Sequence, residues 1–153
     1  MTGPADPGPN TGLLMFVAYR AMEARVLDAL AEAGFDDVTL AQAKVFQRVG
    51  AEGNRLTDLA EQAQVTKQSA GFLVDQLERT GYVERRPDPR DARARLVCIA
   101  PRGARAVEVA AGVVAEVEAE WTRHLGERDM RQMRRALNRL REITDPYTAP
   151  DRG

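Results

Sequence analysis

Residues 66–98, TKQSAGFLVDQLERTGYVERRPDPRDARARLVC, change periodicity in a way that few folds can accommodate. From Lys67 to about Thr80, Ala70, Leu73, Val74 and Leu77 recur at i, i+3, i+4 and i+7, the pattern of a helix with one apolar face. Thr66 stands at the N-cap position and Gly81 at the C′ position. Tyr82 and Val83 then open a strand. Pro87-Asp88-Pro89 forbids helix and suits a turn, because proline has no N–H and a set φ. The stretch from Arg95 to Ala100 is rich in β-formers and reads as a second strand. The expected order is helix, tight exit, strand, charged tip, strand.

That hairpin is strongly basic. Between Arg85 and Arg105 seven arginines stand against two aspartates, a local excess of +5, although the whole chain carries −1. Screening limits the reach of a charge to roughly 8–10 Å at cellular salt, so the patch matters more than the total. A helix fits the major groove of a duplex, and an arginine-tipped hairpin fits the narrow minor groove. A solvated charged turn is the plain alternative. The preceding helix and the Asp91-x-Arg93 spacing weigh against it.

The rest of the chain surrounds this unit with helices. Residues 1–12, with three prolines and three glycines, read as a disordered tail. Leu13, Phe16, Val17, Met22, Val26, Leu27 and Leu30 then recur at helical spacing, so a helix is expected over 13–34. It is apolar on several sides, which calls for cover beyond its own core, most simply a second subunit. Thr39 with Gln42 forms a capping box, opening a helix from about Leu40 to Val49. Residues 50–54 read as a loop, and Thr57 with Asp58 opens a short helix ending near Ala63. A short helix, a brief turn and a longer helix make a helix-turn-helix, whose second helix offers its first residues to base edges. Those residues are Lys67, Gln68 and Ser69. Glutamine pairs with adenine and lysine favours guanine. Phe72 is read as core, with packing on thymine methyls as the other option. Pro101 begins a long helix to about Leu125, after an Ala100 that makes a poor N-cap. A last helix follows Gly126, with Met130, Met133, Leu137, Leu140 and Thr144 spaced like a coiled-coil seam. Asp145-Pro146 stops it, and 146–153 read as a second mobile tail.

ERRPDPRDARARLVCIAPRG, after a helix ending LERTGYV, resembles the wing of the MarR family of winged helix-turn-helix transcriptional regulators. The resemblance runs from about Leu13 to Thr144 and is most specific at the D-x-R tip. It implies a mainly α fold. A winged helix-turn-helix lobe with a two-stranded hairpin would occupy 35–100, and helices over 13–34 and 101–145 would form a dimerisation lobe. It implies a homodimer on double-stranded DNA with a pseudo-palindromic operator, usually a repressor relieved by a small ligand. Residues 1–12 show neither the basic segment nor the apolar core of a signal peptide, so a cytoplasmic location is the default expectation. Arg93 matches the family's minor-groove arginine and Asp91 the aspartate that holds it. Arg90 is an extra charge for phosphate, and Arg85, Arg86 and Arg95 are backbone contacts or structural pairs. Ala92 departs from the family, which often has a second arginine there. The resemblance also implies an aromatic or phenolic ligand between the lobes, with Phe16, Tyr19, Arg20, Phe46 and Trp121 as possible lining. Aromatic residues at helical spacing are more often core, so core is the preferred reading of these side chains.

Other chemistry has little footing. One histidine, His124, and one cysteine, Cys98, supply neither a zinc site nor a catalytic triad, and no disulfide can form within the chain. No cofactor or metal is expected, and the chain reads as a non-enzyme. Cys98, between Val97 and Ile99, reads as a buried inert thiol. No apolar run approaches the roughly 18 residues that would span a bilayer. A winged-helix module for protein interaction or architecture, without sequence preference, is the competing functional class.

Overall fold

A computed structural model describes residues 8–145. Of the tails expected at 1–12 and 146–153, residues 1–7 and 146–153 lie outside the described residues, while Thr11 and Gly12 are helical. Six helices and one hairpin follow in the order α1 (Thr11–Glu32), α2 (Leu40–Phe46), α3 (Leu56–Ala63), α4 (Lys67–Arg79), β1 (Val83–Asp88), β2 (Asp91–Ile99), α5 (Pro101–Leu125) and α6 (Glu127–Thr144). The fold is the expected mainly α winged helix.

Local chemistry sets the helix starts. Asn10 caps α1, its Oδ1 accepting the Leu13 N–H at 2.9 Å, so the helix begins two residues before Leu13. The Thr39–Gln42 capping box forms in both directions. The helix it opens closes at Phe46, short of Val49. Residues Gln47 and Arg48 turn the chain, with the Val49 N–H bonded to the Phe46 carbonyl at 3.1 Å. Helix α3 starts at Leu56 behind Arg55, which gives no side-chain cap, so Thr57 lies inside the first turn. Thr66 caps α4 through the Ser69 N–H at 3.0 Å.

One core joins the lobes. Val45, Val49, Leu59, Val74, Leu77, Tyr82, Val83 and Val97 are buried together, with Leu30 from α1 and Ala106 from α5. Phe72 is a correction. It is 59% exposed, because 100° per residue puts it about 200° around α4 from buried Ala70. The Tyr82 ring is buried and its hydroxyl donates to Asp37 Oδ1 at 2.5 Å. Arg102 lies over that ring at 4.5 Å and donates to Asp37 Oδ2 at 2.9 Å. Asp37 is thereby held below the usual carboxylate range, first by Arg102 and then by the Tyr82 hydroxyl. Gly103 lets α5 approach here, since a Cβ on it would stand 2.1 Å from the Tyr82 carbonyl oxygen.

The hairpin differs from the expectation at its tip. Pro87 and Asp88 belong to β1 rather than to the turn, which falls at Pro89 and Arg90. A two-stranded sheet has only edge strands, where proline is tolerated. Strand β2 begins at Asp91, not Arg95. The register runs Val83↔Ile99 to Pro87↔Arg95 and then jumps to Asp88↔Asp91, leaving Ala92, Arg93 and Ala94 as a bulge. The loop before α3 adds a bridge between Asn54 and Val97, with N–O distances of 3.0 and 2.8 Å. Gly53 (φ +84°) is pressed against β2, where a Cβ would meet Cys98 Sγ at 2.6 Å.

Helices α1 and α6 both pack on α5, where Arg25 of α1 pairs with Glu120 and Arg134 of α6 pairs with Glu118. Much of their apolar surface is uncovered in a single subunit. Leu13, Leu14, Phe16 and Val17 on α1 and Leu137, Leu140 and Ile143 on α6 are exposed.

Candidate nucleic-acid interface

The exposed first turn of α4 carries Lys67, Gln68 and Ser69. The Thr66 hydroxyl donates to Ser69 Oγ at 2.9 Å, leaving Ser69 its own O–H as a donor. The inward side of the same helix is occupied by Ala70, Val74 and Leu77. Asp75 and Glu78 would make the outer face acidic, but Arg85 from β1 reaches both, at 2.8 and 2.9 Å. Arg85 is therefore a structural pair, the second of the two roles that its position left open.

The wing tip is built around two aspartates. Asp88 is 6% exposed and accepts the Arg90 N–H at 2.9 Å on one oxygen and Arg55 Nε at 3.1 Å on the other. Its carboxyl is held below the usual range, first by the Arg90 N–H and then by the Arg55 guanidinium. Asp91 accepts the Arg93 N–H at 3.1 Å, and its oxygen lies 3.6 Å from Arg93 Nε. The Arg93 side chain is 95% exposed. A bulge re-aims side chains, and this one carries Arg93 at its middle. Arg90 and Arg95 are exposed, and exposed Arg86 pairs with Glu84. The roles of Asp88 and Arg55 escaped the sequence reading. Their signal is a pairing across 33 residues, which no local pattern carries.

The other expected sites are less concentrated. Phe16, Tyr19 and Arg20 are exposed on α1, and Trp121 is half-buried on α5. Phe46 turns its ring toward Tyr82, with centroids 6.2 Å apart. Tyr19 reaches Gln47, the residue after α2, at 3.5 Å. Cys98 is half-buried rather than buried, its sulfur lying over Gly53 at the strand's loop-facing side. Among the described residues no three His, Cys, Asp or Glu side chains are grouped to hold a metal ion. No helix among them is long and apolar enough to cross a membrane.

Residues 36–94, the winged unit just described, match the model of the MarR family. Outside that segment the likeness continues. The Transcriptional activatory protein BadR of Rhodopseudomonas palustris is 32% identical over 103 residues, 67% of this chain and 58% of that protein. A crystal structure of MarR superposes with a TM-score of 0.74 at 22% identity, covering 93% of this chain and 95% of that one. The chain belongs to the MarR family. It spans less than two thirds of the length of its BadR relative. A mutant of S. aureus MepR, bound to an oligodeoxyribonucleotide, shares the MarR-family fold with a TM-score of 0.56 at 21% identity, covering 90% of this chain and 99% of that one.

Proposed function

We propose that this chain is a sequence-specific, double-stranded DNA-binding transcriptional regulator that acts as a homodimer on a pseudo-palindromic operator. The carrying observation is Arg93, lifted into solvent by the bulge while Asp91 holds both its N–H and its guanidinium. A long side chain ordered in advance loses less entropy when it enters a narrow minor groove. Lys67, Gln68 and Ser69 would then read base edges in the adjacent major groove, and Arg86, Arg90 and Arg95 would meet phosphates. The oligonucleotide on MepR supports the reading, since the same fold meets DNA there. Two linked units raise affinity through effective concentration, which favours the dimer.

The regulatory sign proposed is repression, relieved by a small aromatic or phenolic ligand held near Phe16, Tyr19, Arg20, Phe46 and Trp121. BadR is named an activatory protein, so a reporter assay with and without the protein decides the sign. The functional test is selection of bound duplexes from a random pool at stated salt. The reading expects a two-fold-related motif. A pool that emerges without sequence preference supports the interaction or architectural module instead.

A further inference from the structure

Phe72 is an apolar ring exposed on the face of α4 that the fold leaves uncovered. It follows Gln68 by four residues and Ser69 by three, so the three share one stripe of the helix surface. Its neighbour Leu73 turns toward the core with Val74 and Leu77, and the core does not need the phenyl group. Asp75, one turn further along the stripe, has its charge offset by Arg85 at 2.8 Å. The outer face of α4 thus presents polar donors, then a phenyl ring, then a neutralised carboxylate. Such a face suits a surface that is polar with one apolar feature. The major-groove edge of DNA offers that feature in the C5-methyl of thymine.

We propose that Phe72 is a specificity-determining residue that packs on a thymine methyl in each operator half-site. This inference rests on the duplex-binding reading and adds which chemical group of the operator is read. Gln68, one turn earlier on the stripe, would address a base edge beside that thymine through hydrogen bonds. Because the contact is apolar, it adds sequence preference without adding salt dependence.

The test uses the full chain and a duplex selected from a random pool. Each thymine is replaced in turn by deoxyuridine, which pairs alike and lacks only the methyl. One symmetry-related pair of positions should weaken binding by about fourfold per half-site, the scale of one buried methyl group. Phe72→Ala should bind the thymine and deoxyuridine duplexes equally. The deoxyuridine series on the unaltered protein decides even where the variant is poorly behaved. A parent insensitive at every thymine overturns the proposal and leaves Phe72 as a surface for another protein. Discrimination that persists in Phe72→Ala overturns it as well. A parent with no preference among duplexes overturns both this proposal and the regulator reading, whereas preference without methyl dependence overturns this proposal alone.

Discussion

Arg55, at the entrance of α3, donates through Nε to the buried carboxylate of Asp88 at the wing tip, 3.1 Å away. The same guanidinium lies 3.9 Å from Asp91. One arginine therefore ties the helix-turn-helix to both aspartates that organise the wing. Arg55→Ala should loosen the tip without unfolding the core. Amide exchange at Arg90 and Arg93, whose N–H groups bond to Asp88 and Asp91, should accelerate, while exchange at Val74 and Leu77 stays slow. Unchanged exchange at the two wing amides would show that Arg55 does not brace the wing.

Arg93→Ala should weaken binding to a selected operator by about 1–3 kcal/mol per half-site, the scale of a lost groove contact. Asp91→Ala should cost less, because Arg93 persists but is no longer held. The check is a titration of both variants at one salt concentration. If Arg93→Ala binds as tightly as the parent, the minor-groove role is wrong.

Acid should act through two depressed carboxyls. Asp88 and Asp37 both have folded pKa values below the ordinary value of about 3.9. A depressed carboxyl contributes stability that is present above its unfolded pKa and is lost as pH falls through the folded one. Urea midpoints should therefore be flat in these groups at neutral pH and fall below about pH 4. Asp37→Asn should lower the neutral midpoint and reduce the acid slope, because Asn can neither pair with Arg102 as an anion nor take up that proton. A parent and variant with parallel acid limbs would refute the assignment.

The parts legible in the sequence are those whose causes are local. Helix α4 was readable from its i, i+3, i+4, i+7 stripe, α5 from Pro101, and the entrance of α2 from a capping box closed within four residues. Asp91 and Arg93 lie two residues apart, and the resemblance of this tip to the family's wing implies their pairing. The Asp88–Arg55 bond spans 33 residues and Arg102–Asp37 spans 65, so both depend on how the helices pack. Pro87 misled because its turn propensity was weighed without knowing that an edge strand would accept it. Phe72 misled because average burial of phenylalanine outweighed its place on the wheel, which already pointed outward. Arg85 was ambiguous until the fold placed Asp75 and Glu78 beside it.

Assembly should depend on the uncovered seam. Ile143 is 83% exposed in the single subunit, with Leu140 and Leu137 on the same helix. A second copy is the expected cover, meeting these residues and the apolar start of α1. The double variant Leu140→Asp with Ile143→Asp should sediment as a folded monomer, since neither side chain supports the subunit core. Operator affinity should then fall by about 100-fold, the scale of lost effective concentration. A parent that sediments as a monomer removes the basis for a two-fold operator.

The first turn of α4 and the strands of the wing should behave as two different kinds of contact. Lys67 and Gln68 are exposed at the helix entrance, where base edges are within reach of a helix in the major groove. Their replacement by alanine should shift which sequences are preferred and leave non-specific binding in place. Arg86→Ala and Arg95→Ala should weaken all duplexes alike. Each should flatten the salt dependence by about one unit per lost phosphate contact and subunit. The change at Arg86 should be the smaller, because Glu84 already offsets part of its charge. The measurement is affinity for a selected and a scrambled duplex across a salt series, for each variant. If preference survives in both Lys67→Ala and Gln68→Ala, the regulator stands and the placement of α4 in the groove does not. If Arg95→Ala changes preference but not the salt slope, the division between positioning and reading contacts is reversed for the wing.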